Sequence, residues 1–498
     1  MQQKELTVPD HAQIQYDSFR KAFYTEVSDI ARMTEEEVDQ YKAEMENIKT
    51  RGKEVPRPIK TWGQTGLSKT ILAILKQLKY ENPTPIQAQA IPVVMSGRDM
   101  LGIAKTGCGK TLAFLLPLLR HVMDQRKCAQ GEASPGCIGL IMSPTRELAL
   151  QIYNETRKFC KHLDLRVVCL YGGSDISDQI ALLKSAAEII VCTPGRMIDM
   201  LTVNSGRVTN LRRCTYVALD EADRMFDMGF EPQVTRILDN IRPDRQTVMF
   251  SATFPRAMEA LARKILTKPV EVTVGGRSIV SNIIKQNVIV MREGEKFQKL
   301  LELLGHFFEQ GSIIVFVHKQ EKADSVLENL IKNGYPCLAL HGAVSQEDRA
   351  SNLRDFRAGN VKIMVATSIA ARGLDVKQLC LVVNYDCPNH YEDYVHRCGR
   401  TGRAGREGTA YTFLTADDKK YAGNIIRALH ASKAQVPEDL QKLWDQYKLE
   451  QKAAGKKVGR TSGFSGRGYK FTAEDLIKQK QKKLLALKMH GALDDDDD

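Results

Sequence analysis

The stretch VALDEADRMFDM, beginning at Val217, carries an apolar, strand-like run straight into Asp220, Glu221 and Asp223. Carboxylates this close repel and raise one another's pKa unless a cation or hydrogen-bond donors hold them ionised. Either the run is a solvated turn, or something positive belongs beside it. A second stretch, well upstream, supplies a reason for the latter. AKTGCGKT, Ala104 to Thr111, follows the apolar run DMLGIA and precedes a helical pattern. Its loop glycines, Gly107 and Gly109, expose successive backbone N–H groups, and the helix adds its positive end, so a phosphate fits there. Lys110 would reach the β- and γ-phosphates, and the Thr111 hydroxyl would ligate Mg²⁺. Ala104 stands where the phosphate-loop pattern has its first glycine. If the DEAD strand lies on a neighbouring sheet edge, Asp220 sits beside the metal and Glu221 can orient and deprotonate a water. The cation that tolerates the carboxylates would then be Mg²⁺ brought in with ATP.

Such a site needs strands to hold it. In the first half the strand candidates are DMLGIA, IGLIMS, RVVCLY, EIIVCT, YVALD and TVMFSAT; in the second they are QNVIVM, SIIVFV, CLALHG, KIMVAT, LCLVVNYD and GTAYTFLT. Continuous apolar strands alternating with helical patterns predict parallel sheets covered on both faces, an α/β architecture. Ligands of such doubly wound sheets sit at the carboxyl ends of the strands. VTVGGRSIVSN, Val272 to Asn282, has the Gly-Gly and polar residues of a linker between the halves. Before the core, TEEEVDQYKAEMENI predicts a helix with Thr34 as N-cap and Glu37 three residues on. PEDLQKLWDQYKLEQKAAGKK predicts a polar helix after the core, followed by a Gly/Ser-rich stretch and a Lys-rich one; both ends read as appendages, the tail partly disordered.

Composition narrows the class. At 498 residues the chain exceeds one core, and about 100–200 residues per domain gives at least two. No apolar run approaches the roughly 18–20 residues that span a bilayer, and MQQKELTVPD is no signal peptide, so no membrane partner is expected. The eleven cysteines form no CxxC pair and no zinc spacing, which predicts buried free thiols and a reducing compartment, cytosol or nucleus. The net charge is +12, and from Leu449 to Lys488 eleven Lys/Arg stand against three acids before five terminal aspartates. That stripe fits a polyanionic partner or a solvated helix face equally well.

Taken together, the motifs resemble the DEAD-box ATP-dependent RNA helicases. Besides AKTGCGKT and DEAD, the order runs PTPIQ (Pro83–Gln87), PTRELA (Pro144–Ala149), Gly172-Gly173, TPGR (Thr193–Arg196) and SAT (Ser251–Thr253). QEDR (Gln346–Arg349), ARGLDV (Ala371–Val376) and HRCGRTGR (His396–Arg403) follow. The resemblance covers roughly Trp62 to Thr415 and implies two tandem RecA-like doubly wound parallel-sheet domains, at 61–276 and 285–432. A helical extension at 1–60, a linker at 277–284 and a basic, then acidic, extension at 433–498 complete the organisation.

The same resemblance assigns roles residue by residue. ATP would be held by Trp62, Gln87, Ala104, Thr106, Gly107, Gly109, Lys110, Thr111, Gly373 and Asp375. Gln87 donates and accepts at once, which suits the N6/N7 edge of adenine; Trp62 would cover the base unless it is simply a core tryptophan, and Asp375 would bond the ribose. Catalysis would use Lys110, Asp220, Glu221 and two arginine fingers, Arg400 and Arg403, with Mg²⁺ on Thr111 and Asp220. Asp223, Ser251, Thr253 and His396 would link nucleotide state to domain closure. Thr145, Arg146, Gly173, Thr193, Gly195, Arg196 and Thr367 would hold RNA through phosphates and 2′-hydroxyls, contacts that position without reading sequence. A chain of this kind is expected to act as a monomeric, RNA-stimulated ATP hydrolase that separates strands locally on single-stranded or duplex RNA. Three residues depart from the family pattern: Cys108 stands for Ser, Ser368 for Asp, and Cys398 lies within HRCGRTGR.

FRKAFYTEVSDIARMTEEEV, GRMIDMLTVNSGRVTNLRR and TSGFSGRGYKF resemble the splicing-associated subgroup, in particular its nuclear member acting when the branch-site ribonucleoprotein joins pre-mRNA. That implies spliceosomal partners and a nuclear location. The long Arg/Ser-rich amino-terminal region of that member does not precede these residues, which reads as a shortened or reduced form. Ribosome assembly or transcription-linked RNA metabolism is the alternative within the family. An ATP-gated RNA clamp that unwinds nothing, or a DNA translocase, is the alternative outside it.

Overall fold

Successive residues of each central strand enter two different cores. In β2 (Met100–Ile103), Met100 joins one apolar cluster and Leu101 the other; in β5 (Ile189–Cys192), Ile189 and Val191 join the first, Ile190 and Cys192 the second. This is the physical content of an uninterrupted apolar strand: helices cover the sheet on both faces. The structure, a computed structural model, describes residues 6–105, 107–126, 136–184, 186–254, 256–275, 279–368, 379–402 and 407–453. It divides into two units at residues 277 and 278.

The first unit adds β1 (Lys49–Arg51), β3 (Gly139–Met142), β4 (Val167–Leu170), β6 (Tyr216–Leu219), β7 (Gln246–Ser251) and β8 (Val270–Thr273). Their order across the sheet is β1-β8-β2-β7-β6-β3-β5-β4, parallel throughout except for β1, which runs antiparallel to β8. All six predicted strands of this half form. β1 and β8 were not foreseen, and β8 takes Val272 and Thr273 out of the expected linker. Its pattern is too short to read: Val270 and Val272 are buried while Glu271 and Thr273 are half-buried, over four residues in all.

The amino-terminal extension is part of this unit and not an appendage. Thr34 and Glu37 form the expected capping box at the head of the helix Glu35–Glu44, with bonds of 2.9 and 3.2 Å. Ahead of it, Arg242 lies between the rings of Tyr16 and Phe19, at 4.7 and 4.8 Å, and Phe19 and Phe23 pack edge-on to the buried His121. Burial pushes the His121 imidazole down to about 3, so it is neutral at physiological pH.

In the second unit the strands are β9 (Ile284–Val290), β10 (Ser312–Val317), β11 (Cys337–Leu340), β12 (Ile363–Thr367), β13 (Leu379–Asn384) and β14 (Gly408–Leu414). They form a parallel sheet in the order β11-β12-β10-β13-β14-β9. Again neighbours separate: Ile314 and Phe316 enter one core, Ile313, Val315 and Val317 the other. The polar helix after the core, Glu438–Ala453, buries Leu440 and Leu443 and lays Trp444 against Gly423, so it too belongs to its unit. The ten described cysteines are free, seven of them buried. No helix among the described residues is long and apolar enough to cross a membrane.

Candidate functional site

Sheet order decides which distant residues meet. β2, β7 and β6 are neighbours, so the residues after them share one stretch of the sheet's carboxyl edge. At the end of β2 the Ala104 N–H donates to the Ser251 carbonyl at 3.0 Å, tying the phosphate loop to the end of β7. Lys110 opens the helix Lys110–Met123; it is buried, and its Nζ donates back to the Ala104 carbonyl at 2.9 Å. Gly109 caps that helix at φ 92°. A side chain there would be strained, and its Cβ would fall 2.5 Å from Gln87 Nε2. Two groups on the preceding helix hold the loop: Gln87 Nε2 donates to the Gly109 carbonyl at 2.9 Å, and Thr84 Oγ1 donates to that of Cys108 at 2.8 Å.

The three carboxylates are all buried, yet each is balanced differently. Glu221 Oε2 pairs with Arg224 Nη1 at 2.6 Å, both side chains inside. Asp223 Oδ2 accepts from the Thr253 N–H at 3.0 Å and from Thr253 Oγ1 at 2.8 Å, and Ser251 Oγ donates to the Thr253 carbonyl at 2.6 Å. Asp220 accepts from the Glu221 N–H at 2.9 Å. Burial pushes the Asp220 carboxyl up to about 6, Lys110 opposing the rise and Glu221 adding to it. The expectation that one incoming cation makes the whole run tolerable is therefore corrected: protein groups balance Glu221 and Asp223, and Asp220 alone retains the deficit. Glu221 also occupies the left-handed region at φ 52°, a conformation that costs on the order of 1–2 kcal/mol and persists because Arg224 and Asp220 hold it on both sides.

A divalent ion fits this arrangement. Among the described residues no three His, Cys, Asp or Glu side chains are grouped to hold an ion by themselves. Mg²⁺ needs no such cage, since it binds through one or two protein oxygens and otherwise keeps water and substrate phosphates. Asp220, a buried carboxylate lacking full compensation, and Thr111, on the first turn after the loop, are the oxygens this chain offers.

Two candidate nucleotide residues face inward. Trp62 lies in the core, 8% exposed, its Nε1 donating to the Tyr80 carbonyl at 3.0 Å. Gln87 is buried with both ends of its amide engaged, Oε1 accepting from the Thr84 N–H and Nε2 on Gly109. Trp62 is thus nearly enclosed, while the Gln87 amide, with one of its two N–H donors and one oxygen lone pair engaged, keeps a second donor and a second acceptor position. Thr106, Gly373, Asp375 and Arg403 lie outside the described residues.

The next three strands, β3, β5 and β4, carry the other motif set at the same edge. Thr145 N-caps the helix Arg146–Leu163, its Oγ1 accepting from the Leu148 N–H at 3.3 Å. Arg146 lies over the Tyr171 ring at 4.6 Å. Gly173, after β4, is exposed at φ 80°, a left-handed turn that suits glycine. Thr193 stands at the N-cap of the helix Pro194–Thr202; Gly195 is exposed with no heavy atom within 4 Å of a Cβ placed there; Arg196 donates through Nη2 to the Ser174 carbonyl at 3.1 Å. The buried Gln179 holds the glycine turn, exchanging bonds with the Tyr171 N–H and carbonyl. In the second unit Thr367 ends β12, and His396 lies on the helix Tyr391–Cys398. Arg400 is 3% exposed, its Nε donating to the His396 carbonyl at 3.0 Å. Ser368 donates to Asp393, which pairs with Arg397 at 2.6 Å, and Cys398 is fully buried.

The structure thus brings Lys110, Asp220, Glu221, Asp223, Ser251 and Thr253 into one unit and leaves His396, Arg400 and Thr367 in the other. Sequence reasoning missed Arg224, Tyr171, Thr84 and Gln179. Arg224 had a signal, lying three residues after Glu221 on one helix face, and Thr84 and Gln87 are spaced as a capping box. Tyr171 and Gln179 had none: strand order sets the Arg146–Tyr171 contact, and the way the glycine turn folds back on the following helix sets the Gln179 bonds.

Comparison with known proteins gives the following. The family described as DEAD/DEAH box helicase matches residues 84–261, and the helicase conserved C-terminal domain matches residues 295–405. Human "Probable ATP-dependent RNA helicase DDX46" is 62% identical over 497 residues, covering 100% of this chain and 48% of that protein. "Pre-mRNA-processing ATP-dependent RNA helicase prp5" of Aspergillus niger is 57% identical over 470 residues, covering 93% of this chain and 40% of that protein. The chain spans about half the length, or less, of the curated relatives it matches. Among solved structures, S. cerevisiae Dbp5 bound to RNA and ADP BeF3 is 30% identical with a TM-score of 0.64, covering 79% of this chain and 99% of that one.

Proposed function

Because this chain belongs to the DEAD-box helicases, we propose that it hydrolyses ATP while gripping RNA, and that this cycle locally remodels RNA duplexes or ribonucleoproteins in pre-mRNA splicing. The observation that carries the reading is the shared edge of one sheet: phosphate loop and carboxylates follow β2, β7 and β6, and the threonine, glycine and arginine set follows β3, β5 and β4.

In this reading Lys110 exchanges the Ala104 carbonyl for the β- and γ-phosphates of ATP, within a loop whose Gly109 and Cys108 carbonyls are already held by Gln87 and Thr84. Asp220 and Thr111 would hold Mg²⁺, which when bound would supply positive charge to the phosphates. Glu221, kept in place by Arg224, orients a water and takes its proton. The Asp223–Thr253–Ser251 link runs from the carboxylates to the end of β7, next to the loop, and so couples the nucleotide to the rest of the unit. We assign Arg400 and Arg403 to the negative charge of the γ-phosphate on the motif alone, and His396 to the coupling set on the same ground. Thr145, Arg146, Gly173, Thr193, Gly195, Arg196 and Thr367 take the RNA backbone.

The relative named a pre-mRNA-processing helicase supports splicing as the setting, and with it a nuclear location and spliceosomal ribonucleoprotein partners. ATPase assay with and without RNA tests the activity: wild type is stimulated by RNA and not by DNA, and Glu221→Gln binds both ligands without turnover. Normal turnover in that variant removes the assigned base. Immunoprecipitation with RNA sequencing tests the setting, and recovery of precursor ribosomal RNA without spliceosomal RNA would move the protein to ribosome assembly.

A further inference from the structure

β1 is the one strand of its sheet that runs backwards, and this places its amino end at the carboxyl edge of the others. The turn leading into it, Glu46-Asn47, therefore stands at the edge where the phosphate loop leaves β2, with only β8 between. Both turn residues occupy the left-handed region, at φ 55° and 54°. Asparagine tolerates that conformation, whereas glutamate does so at a cost. The Gly275 N–H, just past β8, donates to the Glu46 carbonyl at 2.8 Å and pins the turn, and the Asn47 and Ile48 N–H groups close it onto the preceding helix at 3.2 and 2.9 Å. The strained residue holds out a carboxylate, and Glu46 Oε2 pairs with Lys105 Nζ at 2.9 Å. Lys105 is the second residue of AKTGCGKT, a loop cation that the phosphate-loop pattern does not assign.

We propose that Glu46 is a specificity-determining residue of the nucleotide site, which sets polyphosphate affinity by holding the Lys105 ammonium away from the loop. Lys105 sits on a flexible four-carbon stem and is 60% exposed, and among the described residues its ion-pair partner is Glu46. With Glu46 present the loop shows bound phosphates one fewer positive charge, and nucleotide is held less tightly than the loop alone allows. The inference rests on the reading that this loop takes ATP.

Full-length chains carrying Glu46→Gln, Lys105→Ala and both changes test it, with equilibrium binding of ATP, ADP and AMP and steady-state ATPase at low and high salt. An exposed pair of this kind is worth between about 1.5- and 5-fold in binding. Glu46→Gln is expected to lower the Kd and KM for ATP by that factor with kcat unchanged, less for ADP and least for AMP, and less at high salt. The gain is expected to vanish when Lys105 is also alanine. Glu46→Asn, which suits the turn but carries no charge, should reproduce the gain and separates charge from strain. Unchanged ATP affinity in both Glu46 variants overturns the proposal, as does an equal change for AMP and ATP or a gain that survives Lys105→Ala. No ATP binding by the wild-type chain overturns the nucleotide site and this inference with it.

Discussion

The carboxyl end of β6 delivers Asp220, Glu221 and Asp223 into the interior, at 3, 5 and 4% exposed. The ends of β3, β4 and β5, on the same edge of the same sheet, deliver Thr145 and Arg146 partly exposed and Gly173 and Gly195 exposed, with the Arg196 side chain at 9% exposed the most enclosed of the set. Carboxylates that must hold a metal ion or take a proton gain from a dry setting, where burial moves their pKa and charges act at low dielectric. A surface proposed to grip a backbone of phosphates and hydroxyls must be reachable, and N-caps, open glycines and an arginine laid over a ring are what this edge offers for it. The first half of the edge is buried and balanced by protein groups except at Asp220; the second is held from behind, by Tyr171 and Gln179, with its glycines left open in front.

The contrast can be broken most severely at the buried half. Glu221→Gln is expected to lower ATP turnover by about 10²–10⁴-fold while equilibrium ATP and RNA binding stay near wild type; parallel loss of binding would mean that the residue is structural. Asp220 predicts an effect on stability. With its pKa raised from 3.8 to about 6, the folded state favours the protonated form. This contribution to stability is full below about pH 4 and is lost as pH rises through about 6, a change of about 3 kcal/mol. Asp220→Asn should therefore melt higher than wild type at pH 7.5 without ligand, converge with it near pH 4, and gain little from Mg²⁺ and ATP. A variant that melts lower at every pH would place the cation balance elsewhere.

The open half should respond more mildly. Arg146→Ala is expected to weaken RNA binding about tenfold and reduce its salt slope by about one phosphate. Tyr171→Leu, which removes only the ring beneath it, should cost roughly two- to fivefold with the slope unchanged. Titrations of RNA at several salt concentrations separate the two; identical slopes for all three proteins would show that Arg146 meets no phosphate. Smallest is the cap: Thr145→Ala should cost about 1 kcal/mol in urea unfolding and Thr145→Ser far less, while a matching loss in Thr145→Ser would tie the effect to the methyl group.

How far these halves could be read in advance differed for a physical reason. Strands buried at every residue, such as Ile189–Cys192, announce themselves because every residue is apolar. A helix start such as Thr34-x-x-Glu37 is legible because its bonds close within four residues. β8 was hidden, since two buried valines in four residues resemble many loops. β1, with the pattern Lys-Thr-Arg, carries no apolar signal, and it is a strand because β8 needs a neighbour on its outer side.

By itself the sequence determined the set of central strands, the parallel α/β class, the phosphate loop and the order of the motifs, all of which depend on local period, turn chemistry or residue type. Only the tertiary structure decided that Thr253 holds Asp223 and that burial leaves Asp220 in deficit, that Trp62 lies in the core and Gln87 reaches the phosphate loop, and that Glu46 stands beside Lys105. Those outcomes depend on which strands are neighbours and on the direction of one edge strand, and pairings between residues far apart in the chain leave no mark on the pattern of either one alone.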